Sequence, residues 1–113
     1  MNDIETLLEQ LIERIKETNE YNQYYELLQR VKSNQEIYAQ IGDYRRRSLW
    51  VQMQQGEEFI HNNNELQKDF GHLQENGLAS EFFAAEHQYV AMVRKLQDIF
   101  LEGISLDTSF LDD

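Results

Sequence analysis

A chain of 113 residues, 41% apolar with a mean hydropathy of −0.70, is long enough for one modest domain, and no apolar run approaches the roughly twenty residues of a membrane span. Zero cysteines exclude disulfides, thiolate metal sites, iron–sulfur ligation and cysteine nucleophiles, while zero prolines remove every obligatory interruption of a helix. The net charge of −11 is lopsided, nine acids against seven bases over residues 1–56 and twelve against three over 57–113, which counts against autonomous nucleic-acid binding.

The first helix is predicted from Asp3 to about Thr18. Ile4, Leu7, Leu8, Leu11, Ile12 and Ile15 form an apolar stripe, and Glu5, Glu9, Glu13, Arg14, Lys16 and Glu17 lie opposite. Asn2 and Glu5 stand at capping-box spacing. So strictly amphipathic a helix must dock, on its own domain or on a second protomer. Acids interrupt its apolar residues and no basic region precedes them, so it reads neither as a secretory signal nor as a transit peptide. A cytoplasmic protein is the simplest expectation.

Thr18, Asn19 and Asn22 are weak helix formers and mark a break. A second helix is predicted from about Glu20 to Lys32, burying Tyr24 or Tyr25 with Leu28 and Val31, its tyrosines at the core edge. Ser33 as N-cap and Glu36 three residues on open a third helix, Asn34 to about Gln55, with Ile37, Ile41, Tyr44, Ser48 and Val51 on its main face. Gly42 within it costs up to about 1 kcal/mol relative to alanine, a cost that close approach of another helix would offset. Arg45, Arg46 and Arg47 point about 100° apart on a helix, which suits a solvated surface better than a phosphate patch. Trp50, at the flank of the stripe, fits either a core edge or a contact surface.

Gly56 to His61 reads as the main internal loop, followed by Asn62 to Asn64 as the cap region of a fourth helix carrying Leu66, Phe70 and Leu73. Gly77 is expected as its left-handed stop, with Leu78 folding back on Leu73. Ser80 then caps a long fifth helix, closed by Gly103, whose Phe82, Ala85, Tyr89, Val93, Leu96, Phe100 and Ile104 share one face. Glu86 borders that face and, if partly buried, needs a partner: a tyrosine hydroxyl, Gln88, or an arginine such as Arg45 or Arg46. The expected architecture is an all-α antiparallel bundle of about five helices over residues 1–104, completed by dimerisation, with an acidic, frayed tail at 105–113.

Candidate chemistry is sparse. His61 with Glu65, and Asp69 with His72, could each touch one ion. A carboxylate-bridged di-metal bundle needs two Glu-x-x-His helices and two further inward carboxylates, a set this sequence does not supply. His72 lacks the lysine and glycine expected after a phosphoacceptor histidine. No nucleophile elbow and no phosphate-cradling glycine loop is present either. Neither enzymatic activity nor a cofactor is expected.

Tyr21, Tyr24, Val31, Asn34, Glu36, Ile41, Tyr44, Gln52, Gly56, Asn76, Phe82, Ala85, Glu86, Leu96 and Ile99 form an ordered, spaced set. Across most of residues 4–104 this set resembles the YlbF/YmcA family of small bacterial regulators. Gly77 stands where that family usually has proline, and Phe82 where tyrosine is common. The resemblance implies a non-enzymatic helical regulator. Some family members form a complex that steers an endoribonuclease in messenger-RNA maturation and affects competence, sporulation and biofilm formation. Certain of them hold iron–sulfur clusters on cysteines, which this chain lacks. The partners it suggests are a second copy, paralogous regulators or an endoribonuclease, with neither a membrane nor direct nucleic acid. The candidate interaction surface is Tyr44, Arg45, Arg46 and Trp50 of the third helix with Glu86 and Tyr89 opposite. Direct RNA binding through Arg45–Arg47 and metal or phosphate handling are the alternatives.

Overall fold

The computed structural model describes residues 2–105, which form five helices and no strand: α1 (Asn2–Lys16), α2 (Asn19–Ser33), α3 (Gln35–Gln52), α4 (Gly56–Gln74) and α5 (Gly77–Ile104). The fold is all-α. Any capping by the Asn2 side chain, and the tail over 106–113, lie outside the described residues.

The helix ends show which polar residues set the chain's turns. Thr18 serves two helices at once, its hydroxyl donating to the Ile15 carbonyl at 2.6 Å and accepting from the Tyr21 amide at 3.2 Å. Asn34, not Ser33, caps α3: its extended backbone lets Oδ1 accept from the Ile37 amide, whereas the Ser33 hydroxyl donates to Gln29 within α2. The segment Gly56–His61 is helix, contrary to its reading as a loop. Residues 53–55 make the reversal, and Gly56 completes it at a left-handed φ of 67° that glycine adopts without penalty. Glu57 and Glu58 then suit the electropositive first turn of α4.

Asn76 corrects a second expectation. Its side chain accepts from the Ala79 amide at 3.0 Å, making it the N-cap of α5 and Gly77 the first helical residue. Gly77 has no positive φ, and it is Ser105 at φ 52°, rather than Gly103, that closes the helix. Ser80 accordingly falls inside the first turn. Proline is favoured at a first helical position, and the extended backbone of Asn76 tolerates a following proline. Gly77→Pro is therefore expected to stabilise the protein by about 0.5–1 kcal/mol in urea unfolding. A left-handed stop at this position would instead make proline destabilising.

Packing joins two antiparallel pairs, α2 on α5 and α3 on α4. Their shared core is Val31, Ile37, Ile41, Leu73, Ala79 and Phe82, one or two residues from each of four helices. Ala79 and Ala85 are buried on α5, where a side chain ending at Cβ lets a neighbouring helix approach closely. Val51 and Leu66 are buried on the α3–α4 hairpin outside that cluster. α1 takes no part in the core and meets the rest of the chain chiefly at its junction with α2. The resulting radius of gyration, 18.6 Å, is well above the roughly 13 Å of a compact domain this long.

Candidate functional site

Eight aromatic rings run as one connected series through the bundle. Tyr25 stacks on Tyr21, which meets Tyr89 edge-on at 5.7 Å; Tyr89 stacks on Tyr24 at 5.1 Å, and Tyr24 on Phe82 at 5.8 Å. Phe82 adjoins Phe83, which meets Phe70, and Phe70 stacks on Tyr44 at 4.7 Å. Tyr44 and Tyr89, both proposed from sequence as contact residues, are thus half-buried members of internal ring contacts. Burial pushes the Tyr24 hydroxyl above its ordinary pKa, with the Glu86 carboxylate adding to the rise and Arg45 opposing it.

Arg45 and Glu86 are brought together, one nitrogen of the guanidinium donating to both carboxylate oxygens at 2.5 and 2.6 Å. The same guanidinium lies over Phe82, 5.6 Å from the ring centre. Glu86 thereby has the arginine partner that its place beside an apolar face demanded. The bridge ties α3 to α5 across the core, with the Glu86 side chain 26% exposed and that of Arg45 47% exposed. Screening at that exposure keeps the energy modest. Arg45→Ala and Glu86→Ala are each expected to cost about 1–2 kcal/mol, and a double-mutant cycle should return a coupling of about 1 kcal/mol that shrinks with salt.

The three consecutive arginines have three different surroundings. Arg47 donates to Asp69 of α4 at 2.7 Å and lies 3.8 Å from Asp43 on its own helix. Arg46 lies back along α3, its guanidinium 3.3 Å from where a Cβ on Gly42 would stand. The atoms nearest to such a Cβ all belong to Arg46, so what the glycine accommodates most closely is that side chain of its own helix. A run that looked uniform is divided between two inter-helix bridges and one cation over its own helix.

Of the proposed aromatic residues Trp50 is the one that remains open, at 57% exposure. It is not alone. Leu49 at 65%, Met53 at 81% and Ile60 at 59% are exposed on the same end of the α3–α4 hairpin, with Phe59 beside them in sequence. Sequence reasoning missed Phe59 and Ile60 because they were placed in a loop. The alternation of stripe and flank residues at the end of α3 was the available signal. Nearby, Asn62 donates to Gln54 at 2.9 Å across the turn and holds the hairpin end in shape.

The metal and phosphate readings gain no geometry. His61, His72 and His87 are all exposed. The Asp69 carboxylate is engaged by Arg47, and His72 lies 4.0 Å from Glu75. With 56–61 helical, Glu58 and His61 form an i,i+3 Glu-x-x-His pair that the loop reading concealed, yet both are exposed. Among the described residues no group of three or more ligand side chains could hold a metal ion. Nor, among them, is any helix long and apolar enough to cross a membrane.

Against known proteins, residues 4–105 match the family model described as control of competence regulator ComK, YlbF/YmcA. No curated protein and no solved structure matches the chain. The match spans nearly the whole sequence, so the chain belongs to the YlbF/YmcA family.

Proposed function

From this membership in a family described by its control of a regulator, we propose that the protein is a non-enzymatic regulatory adaptor, working as paired copies and holding a partner protein on the end of its α3–α4 hairpin. The observation that carries the reading is the exposed group Leu49, Trp50, Met53 and Ile60. Tryptophan and methionine are among the residue types enriched at protein interfaces, and an exposed tryptophan beside other large apolar side chains supplies the desolvated anchor that dominates binding energy. Exposed Glu57 and Glu58 at the start of α4 give this end an acidic edge, suited to a basic rim on the partner and unsuited to phosphate backbones.

Support for the non-enzymatic part comes from the titratable groups themselves. Among the described residues no polar or charged side chain is fully buried, and the one group that burial perturbs, the Tyr24 hydroxyl, is raised away from the neutral range in which an acid or base works. The arginine run offers no continuous cationic surface for RNA, since Arg45 and Arg47 are engaged by carboxylates.

The test is affinity capture from native lysate with RNA digested in parallel. Trp50→Ala with Met53→Ala is expected to weaken capture by about tenfold or more while leaving the melting temperature and helical content unchanged, because neither side chain is in the core. Undiminished capture by this variant would rule out the hairpin end as the docking surface. Loss of capture on RNA digestion would shift the reading to RNA.

A further inference from the structure

We infer that the cleft between α2 and α3 is a binding site for a small amphipathic carboxylate, a short alkyl or aryl chain ending in one carboxyl group. The inference stands apart from the adaptor reading, because none of the residues it uses belongs to the hairpin end that carries Trp50.

The cleft follows from how two helices leave one turn. Asn34 ends α2 and caps α3, and one face of each helix lines the space between them. Leu28, Val31 and Lys32 stand at i, i+3 and i+4 on α2. Tyr38, Ile41, Gly42 and Arg45 stand at i, i+3, i+4 and i+7 on α3. With Phe82 of α5 they enclose a cavity of about 180 Å³. Close packing would fill such a space with a side chain from each lining position. Position 42 supplies none, and the atoms nearest to a Cβ placed there belong to Arg46 of the same helix. Glycine is a destabilising choice inside a helix, and here it leaves the wall beside Ile41 open.

The lining divides by chemistry. Val31, Ile41 and Phe82, each at most 5% exposed, make an apolar floor, with half-buried Leu28 beside them. Lys32, Arg45 and Tyr38 are exposed and make the rim, and no acid lines the cavity. Among the described residues Lys32 has neither an ion pair nor a hydrogen bond from its side chain. Arg45 gives one terminal nitrogen to both Glu86 oxygens, so its remaining N–H groups are free to meet a ligand. Its guanidinium is held 5.6 Å from the centre of the Phe82 ring, which fixes a charge directly over the floor. Even with Glu86 counted against Arg45, Lys32 leaves this rim positive in a chain of net charge −11. An apolar floor under a cationic rim complements an apolar body with an anionic head, and an amine would meet like charge. Size excludes larger occupants. The cavity is below the roughly 300–1,000 Å³ that holds drug-sized ligands, and a helix about 10 Å across does not enter it.

The test uses hexanoate as probe and hexylamine as a chain of similar length and opposite charge. At up to about 10 mM, hexanoate should shift the methyl resonances of Leu28, Val31 and Ile41 and the ring resonances of Phe82, with a Kd of about 1 mM or tighter. Hexylamine should leave them in place. Lys32→Gln should weaken hexanoate binding by about tenfold with the thermal transition unchanged, because the lysine is exposed. Gly42→Leu grows a side chain from the cavity wall and should abolish the shifts while circular dichroism still reports helix. The inference is overturned by absent hexanoate shifts, by shifts confined to the exposed stripe of α1, or by equal response to hexylamine. Undiminished binding in Lys32→Gln, or in a folded Gly42→Leu chain, overturns it equally.

Discussion

Phe82→Ala is expected to destabilise the protein by about 3–5 kcal/mol, the largest effect of any single truncation in the bundle. Phe82 is 2% exposed and meets three groups at once: the Tyr24 ring at 5.8 Å, the Phe83 ring at 5.9 Å, and the Arg45 guanidinium at 5.6 Å. Removing it opens a cavity between α2, α3 and α5 and takes away the aromatic face beneath the Arg45–Glu86 bridge. Domains of this size have about 5–15 kcal/mol in total, so the variant should be marginally folded at best. Urea unfolding monitored by circular dichroism reads the effect directly. Phe82→Tyr is the informative companion. At 2% exposure a hydroxyl added here and left without a hydrogen-bond partner should cost about 1–3 kcal/mol. A neutral result for Phe82→Ala would mean that α5 does not pack as described.

Leu66→Ala is the second large expectation, about 2–4 kcal/mol. Leu66 is 2% exposed on α4 but stands outside the main core cluster, as does Val51 of α3. Its loss should therefore loosen the α3–α4 hairpin before the α2–α5 pair. Hydrogen exchange should show this as lost protection in α3 and α4, with α2 and the first turns of α5 less affected. The consequence for function is specific. The exposed end carrying Trp50 and Met53 is held in place by this hairpin, so partner capture should weaken although no contact residue has changed. Equal loss of protection in all four helices would show instead that the hairpin and the α2–α5 pair unfold as one cooperative unit.

Some of this was legible in the residues themselves. The steps of three and four in α1 and α5 and the lack of proline gave the helical class, and the breaks at Asn34 and Asn76 fall where breaks between helices were expected. Where the reading failed, it chose between neighbours. Asn76-Gly77 suits either a helix stop or a helix start, and only the Asn76 side chain accepting from Ala79 decides for the start. Gly56-Glu57-Glu58 looked polar enough for a loop, yet the same acids favour a helix N-terminus once Gly56 has reversed the chain.

The candidate site divides along the same line. Arg45, Arg46 and Arg47 are indistinguishable as letters, but a 100° step between them aims one at Glu86 of α5, one along its own helix and one at Asp69 of α4. By itself the sequence determined five amphipathic or apolar helices and most of the breaks between them, because periodicity and capping act within a few residues. The tertiary structure alone decided which greasy faces are satisfied within the chain and which stay open. Burial depends on what other helices bring to a face, so Tyr44 and Tyr89 ended among rings while Trp50, Met53 and the α1 stripe were left facing water.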